Sequence, residues 1–527
     1  MYTTCYNEYV KITGETFRNA KPEKVLKEAF GYDEFRHSQK EIIQNVLCGN
    51  DTLAVMPTGG GKSLCYQIPA LIFEGITVVI SPLISLMQDQ VSSLEKKGIC
   101  SVFINSTLEW EEFLNTSARI KMGEVKIVYV SPEGLSSNKV RELLTNPLVK
   151  VSCVCIDEAH CISEWGHDFR PDYLEIFQVR QLCPDAVMLA LTATATELVR
   201  KDIIRNLGMN KPKVFVSSFN RPNIFLSVKP KIDALGLVCD CIQRHKGESG
   251  IIYCLSRRQV DELTTSLKHL KYSVKPYHAG LSDDVRAKNQ EAFIKGKVNL
   301  IVATVAFGMG IDKPDVRFVI NYDLPKSVEE YYQEIGRAGR DGKPSEALLL
   351  FSRGDVHKIK YFFEDLADRS KAEELLNAMV SYGSIHMCRR QSLMGYFGEK
   401  YNPQEHPEQT ECCDVCSRGK STLYDVTVPV QKFLCCMIRT NERFGTAYVI
   451  DVLCGSRQKR IVENGHSKVS TFGIGRDISK EKWFELSELM IMAGYIKKEG
   501  DYNILKMTSS GRNLLVTREE VYLPIRL

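Results

Sequence analysis

The segment Met56-Pro57-Thr58-Gly59-Gly60-Gly61-Lys62-Ser63 has the composition of a phosphate cradle. Glycines let backbone N–H groups close on an anion, Lys62 adds a point charge, and the Ser63 hydroxyl can hold Mg²⁺. The strict pattern wants Gly where this chain has Met56. Three consecutive glycines before Lys-Ser, at a strand exit, nevertheless predict nucleotide binding. Further along, Asp157-Glu158-Ala159-His160 follows an apolar run. Asp157 can hold Mg²⁺ through its water shell, and Glu158 can orient and deprotonate an attacking water. A third group lies in Gln333-Glu334-Ile335-Gly336-Arg337-Ala338-Gly339-Arg340-Asp341-Gly342. Arg337 and Arg340 share one face of a helix or turn. A planar, always ionised guanidinium reaching across a cleft would stabilise charge on a γ-phosphate.

These groups need a frame. Short apolar runs at Thr52–Val55, Thr77–Ile80, Ser101–Ile104, Lys126–Val130, Val151–Ile156 and Ala186–Leu191 alternate with helical patterns. That alternation predicts a parallel sheet covered by helices. It breaks at Gly208–Pro212 and resumes at Gly250–Cys254, Tyr272–Pro276, Asn299–Ala303, Val316–Ile320 and Ala347–Phe351. Two α/β units in tandem follow. After Phe351 the pattern turns helical, cysteines cluster, and a hairpin is expected around Tyr495–Thr508 with its turn at Glu499-Gly500-Asp501. A chain of 527 residues exceeds one core and predicts three or four domains. It has no apolar run long enough to span a membrane and no signal-peptide pattern. Eighteen cysteines, mostly single in apolar runs, are not a disulfide scaffold and point to a reducing, cytoplasmic compartment. The net charge is only +4, and residues 421–527 carry that excess, with 16 Lys+Arg against 12 Asp+Glu. Any nucleic acid must therefore be held by local patches.

Taken in order, these motifs and Leu191-Thr-Ala-Thr-Ala-Thr196 resemble those of superfamily 2 helicases. Phe30-Gly-Tyr-Asp-Glu-Phe-Arg-His-Ser-Gln39, Cys161-Ile-Ser-Glu-Trp-Gly-His-Asp-Phe-Arg-Pro171 and Ser218-Phe-Asn-Arg-Pro-Asn223 narrow the resemblance to the RecQ DNA helicases, from about Pro22 to Arg518. The resemblance implies an α/β fold of two tandem RecA-like parallel-sheet lobes, then a small helical zinc-binding domain and a winged-helix domain. The expected bounds are 1–208, 209–350, 351–420 and 421–527. It implies an ATP-dependent helicase that moves 3′ to 5′ on single-stranded DNA and unwinds duplex DNA in repair and recombination, in a bacterial cytoplasm or a eukaryotic nucleus.

By the same resemblance, Gln39 reads the adenine edge, Arg36 packs on base or ribose, and Thr58, Gly59, Gly60, Gly61, Lys62 and Ser63 hold the phosphates. Gln333, Arg337 and Arg340 complete the site across the lobe interface, with Arg340 as the arginine finger. Trp165, Phe169 and Arg170 form an aromatic-rich loop for stacking bases. Ser81, Arg257, His278 and Thr304 are further DNA contacts at strand ends. Cys388, Cys412, Cys413 and Cys416 offer four thiolates for a closed, structural Zn²⁺ site, with the adjacent pair spaced as in the Werner-type branch. His406 is an alternative to Cys412. Arg457, Lys459, Arg460, Lys468 and Arg476 make the basic patch of the winged-helix module, which meets phosphates. Its hairpin, Lys497–Met507, is short, with Tyr502 as its aromatic. The cofactors expected are ATP, Mg²⁺ and Zn²⁺. The partners are single-stranded and duplex DNA, and no membrane. The rival readings are an RNA-remodelling ATPase of superfamily 2 and an ATP-switched clamp. The aromatic loop, the cysteine cluster and the winged-helix module speak for DNA, and intact Glu158, Gln333, Arg337 and Arg340 against a mere switch.

Overall fold

The computed structural model describes residues 16–527, apart from 83, 105–107, 164–167, 169, 171–172, 174–175, 308–312, 364–368, 386, 403–411, 418–423, 500–503, 518, 524 and 526. Thirteen strands build two parallel sheets. The first contains β1 (Thr52–Val55), β2 (Ile76–Ile80), β3 (Ser101–Ile104), β4 (Ile127–Val130), β5 (Val151–Ile156), β6 (Val187–Thr192) and β7 (Lys213–Val216), in the order β3-β4-β2-β5-β6-β1-β7. The second contains β8 (Ile224–Pro230), β9 (Ser249–Tyr253), β10 (Val274–Tyr277), β11 (Leu300–Ala303), β12 (Val316–Asn321) and β13 (Ser345–Phe351), in the order β10-β11-β9-β12-β13-β8. Every pairing within them is parallel. Helices cover both faces of such a sheet, so its inner strands are apolar almost throughout, and β1, β2, β4 and β6 are buried at every residue.

Two edge strands depart from the sequence reading. β7 pairs with β1 and so carries the first sheet past the expected boundary at residue 208. It lies at the sheet margin and is mostly exposed, so it lacks the apolar density that marks an inner strand. β8 pairs with β13 at the margin of the second sheet and was not foreseen. Its Ser227, its Lys229 and the terminal Pro230 break the apolar run, and proline is tolerated at such an edge.

The chain divides into two compact units. One holds residues 1–380 and 390–405, and the other 381–389 and 406–527. The segment expected as a separate zinc domain, 351–420, is therefore shared between them. The second unit has its own core of Val430, Phe433, Leu434, Met437, Val449, Leu453, Leu486 and Trp483. The Trp483 ring is fully buried, and its Nε1 donates to Gly475 O at 2.9 Å, which satisfies its one polar atom. Among the described residues of 427–517 there are five α-helices: Thr427–Arg439, Thr446–Leu453, Lys459–Glu463, Lys480–Met492 and Ser509–Thr517. Ile496–Glu499 and Ile504–Met507 pair antiparallel as the expected hairpin, whose tip with Tyr502 lies outside the described residues. No helix among the described residues is long and apolar enough to cross a membrane.

Candidate active site

In the first sheet β5, β6 and β1 are neighbours, so three strand ends deliver their loops to one place. β1 opens into the glycine turn, β5 into Asp157-Glu158 and β6 into Thr192–Thr194. This is the carboxyl edge at which open α/β sheets bind ligands. Gly59 and Gly61 have φ of 77° and 75°, which a side chain disfavours. Space for one is tight as well. A Cβ on Gly61 would lie 2.4 Å from Gln39 Nε2, and one on Gly59 3.0 Å from Arg340 Cγ. The loop is thus gripped by Gln39 on one side and Arg340 on the other.

Gln39 lines the cleft and also bonds the glycine turn. Its Nε2 donates to Gly61 O at 2.9 Å and to Gly60 O at 3.3 Å, while its Oε1 accepts from Arg36 N at 2.8 Å. The carboxamide expected at an adenine edge is engaged with the phosphate loop. On the acidic side, Glu158 sits at φ 47° and its N–H donates to Asp157 Oδ1 at 3.0 Å. Burial, and then the Glu158 charge, push Asp157 well above the ordinary carboxylate range, and Lys62 pulls it back. His160 bonds Thr192 Oγ1 through Nδ1 at 2.9 Å and approaches Glu158 at 3.4 Å.

The second lobe closes the site. Gln333 Nε2 donates to Thr194 Oγ1 at 3.3 Å. The helix Val328–Ile335 ends at Gly336, and Gly339 and Gly342 take positive φ in the turn that follows, so Arg337 and Arg340 stand on a turn rather than an exposed helix. A cavity of 550 Å³ is lined by Arg36, Gln39, Thr58, Gly59, Gly61, Lys62, Ser63, Asp157, Glu158, Gln333, Arg337 and Arg340. Thr58 Oγ1 and Arg337 Nε are buried there without a hydrogen-bond partner. Glycine N–H groups, a lysine, two arginines and two carboxylates around such a space fit a nucleotide polyphosphate and a divalent cation, with Ser63 and Asp157 as the cation's side-chain ligands.

The nucleic-acid candidates divide. Trp165 and Phe169 lie outside the described residues. Arg170 is tied inward, to Asp168 at 3.1 Å and to Pro82 O at 3.2 Å. Ser81 is 1% exposed and His278 4%, so neither offers its side chain to a strand. His278 instead accepts from Gly280 N at 3.2 Å and bonds Asp261 at 3.1 Å, holding the loop next to exposed Arg257. Thr304 stands half-buried at the end of β11. Arg476 is exposed and folded over Gly455 and Gly473. Periodicity cannot tell a buried serine or histidine at a strand end from an exposed one, because that depends on the loop above it.

In the second unit the sulfurs of Cys388, Cys412, Cys413 and Cys416 lie within 4.8 Å of one another. Cys388 to Cys412 is 3.6 Å and Cys412 to Cys416 is 3.9 Å. Four thiolates about 2.3 Å from a tetrahedral Zn²⁺ stand roughly 3.8 Å apart, so the set fits that ion with Cys412 included. His406 lies outside the described residues. Hydrogen bonds from Cys388 and Cys412 hold the Cys413 thiol far below its usual range. Burial and the neighbouring Cys413 push Cys416 up to about 12. Arg389 pairs with Asp414, which lies between Cys413 and Cys416, and so helps to orient that loop.

Four family models match the chain: DEAD/DEAH box helicase over 36–202, helicase conserved C-terminal domain over 233–342, RecQ zinc-binding over 353–417, and RQC domain over 420–527. The ATP-dependent DNA helicase RecQ of Pasteurella multocida is 43% identical over 496 residues, 93% of this chain and 77% of the relative. That of Bacillus subtilis is 41% identical over 499 residues, 94% and 83%. The chain belongs to the RecQ helicase family. Use of ATP follows from its helicase domain, and nucleic-acid binding from the helicase and RQC domains. The solved structure of Saccharomyces cerevisiae Dbp5 bound to RNA and ADP BeF3 superposes with a TM-score of 0.52 at 18% identity, covering 68% of this chain and 97% of Dbp5, and shows the two-lobe fold that this RecQ chain shares. Two residues of the RecQ site lacked a sequence signal of their own. Thr194, which accepts from Gln333, and Arg221, which donates to backbone carbonyls, make bonds that no side-chain pattern announces.

Proposed function

We propose that this chain hydrolyses ATP to move 3′ to 5′ along single-stranded DNA and to part the duplex ahead of it, in DNA repair and recombination. The observation that carries the reading is one cleft in which the phosphate loop and Asp157-Glu158 of the first sheet face Gln333, Arg337 and Arg340 of the second. Bound ATP and Mg²⁺ would supply a γ-phosphoryl group whose charge is partly neutralised. Lys62 and the glycine N–H groups hold the phosphates in line. Ser63 and Asp157 would hold the Mg²⁺. Glu158, next to Asp157 and half-buried like it, takes the proton of the attacking water. Arg340, packed on Gly59, stabilises the charge that develops on the phosphoryl oxygens. Hydrolysis removes the ligand that both lobes grip, so the lobes change their hold on one another and step along the strand. DNA as the track rests on the names of the relatives and on the RQC module. The test compares ATP turnover and strand separation on 3′-tailed DNA, 5′-tailed DNA and RNA. Unwinding of the 3′-tailed DNA is expected; turnover stimulated only by RNA would move the chain to the RNA-remodelling class.

A further inference from the structure

The segment Ser218–Asn223 joins β7, the last strand of the first sheet, to β8, the first of the second. A short connection of this kind sets how the two lobes meet. Within it Arg221 sends both terminal nitrogens into backbone carbonyls. Nη1 donates to Thr58 O at 3.0 Å and to Gly336 O at 3.1 Å. Nη2 donates to Ala338 O at 2.8 Å and to Gly339 O at 3.0 Å. Thr58 opens the phosphate loop. Gly336, Ala338 and Gly339 form the turn that carries Arg337 and Arg340. The carbonyls at a helix C-terminus have no partner within the helix and carry its negative end, so a cation belongs there. Here that cation also reaches across to the other lobe.

The connection is held from its far side. Arg390, 1% exposed, donates to Asn220 Oδ1 at 2.7 Å, to Arg221 O at 2.7 Å and to Ile224 O at 2.6 Å. The Glu399 carboxylate accepts from Ser218 Oγ at 2.6 Å and from Phe219 N at 2.7 Å. The Phe219 ring lies flat on Phe397, with centroids 4.4 Å apart and planes 6° apart. The backbone of Arg221 is therefore fixed, and its side chain is aimed rather than free to wander.

We propose that Arg221 is a positioning residue for ATP hydrolysis, which sets the Arg337–Arg340 turn against the phosphate loop through four carbonyls while Arg390, Glu399 and Phe397 hold it from behind. The inference rests on the ATP-hydrolysis reading of the cleft. A planar fork can serve acceptors in two directions at once. A lysine brings charge to one point and serves fewer of them. Misplacing a catalytic group by about 1 Å can cost roughly 100-fold in rate, while the phosphate contacts of the first lobe remain.

The experiment measures steady-state ATP turnover with saturating 3′-tailed DNA for the parent, Arg221→Gln and Arg221→Lys, together with thermal melting of each. Arg221→Gln is expected to lower kcat about tenfold or more and to leave KM for ATP within about threefold, with the melting transitions retained. Arg221→Lys should recover part of the loss. Should Arg221→Gln fail to fold, Arg221→Lys is read by the same criterion. A kcat within about twofold of the parent, a raised KM at unchanged kcat, or loss of the melting transition in both variants would overturn the proposal. A parent with no turnover would instead sink the ATP-hydrolysis reading itself, so the two failures are distinguishable.

Discussion

Gly336 has ordinary helical backbone, so its need for glycine is a matter of space alone. A Cβ there would lie 1.8 Å from Thr58 Oγ1 and 3.0 Å from Thr58 Cβ. Rotating the hydroxyl relieves the first contact and leaves the second, so alanine must move the turn away from the phosphate loop. Gly336→Ala is expected to lower kcat about tenfold, with melting shifted little, in steady-state turnover set beside calorimetry. Lys62→Ala removes the point charge on the phosphates, and ATP turnover should fall below detection while the fold remains. Gln39→Ala leaves the carbonyls of Gly60 and Gly61 without their donor, and a rise in KM for ATP is the result to look for. That Lys62, Asp157, Glu158 and the two arginines gather around one cavity was legible from residue type and order. The bonding of Gln39 was not, because an amide can serve a base edge or a backbone equally well and only the fold decides which is nearer. The burial of Ser81 and His278 was not legible for a related reason: burial at a strand end is set by what packs over it.

At the scale of elements, inner strands were legible and edge strands were not. Hydrophobic density marks a strand with helices on both faces, whereas β7 and β8 are margins with polar or proline interruptions. The cysteine cluster was legible because four thiols among charged residues have no place in an ordinary core. Cys413→Ser removes one ligand from that set. Since binding a structural metal is part of folding, the second unit should lose its zinc and at least about 3 kcal/mol of stability, measured by metal content and melting. A different prediction belongs to the helix Ala234–Arg244 and its end at His245. His245 bonds Glu346 at 3.2 Å and Glu248 at 2.7 Å, and Arg244 pairs with the same Glu346 at 2.8 Å. The Glu346 bond, ahead of the Glu248 bond, raises the imidazole above its ordinary pKa of 6.5, although burial opposes it. A raised pKa contributes stability that is complete below the ordinary value and is lost as pH climbs through the raised one. His245→Gln should therefore lower the melting temperature more at about pH 6 than at about pH 9. An equal shift at both would mean that the imidazole is held neutral.

For the whole molecule, two compact units with separate cores imply that unfolding is not a single two-state event. The nucleotide cleft lies wholly in the unit of residues 1–380 and 390–405, and the four thiols wholly in the other. A ligand stabilises the unit that binds it by mass action, about 2.7 kcal/mol at a concentration 100 times its Kd. Scanning calorimetry should then resolve at least two transitions that answer to different ligands. A non-hydrolysable ATP analogue with Mg²⁺ is expected to raise the transition of the two-sheet unit, because its phosphates tie Lys62 in one lobe to Arg337 and Arg340 in the other. A strong zinc chelator should lower the transition of the second unit and leave the analogue's shift in place. Arg221→Gln sharpens the comparison. If Arg221 sets the arginine turn, the analogue should still bind through Lys62 and the glycine loop but stabilise less, since the second lobe contributes fewer contacts. An analogue shift identical in parent and variant would place the grip on the nucleotide in the first lobe alone.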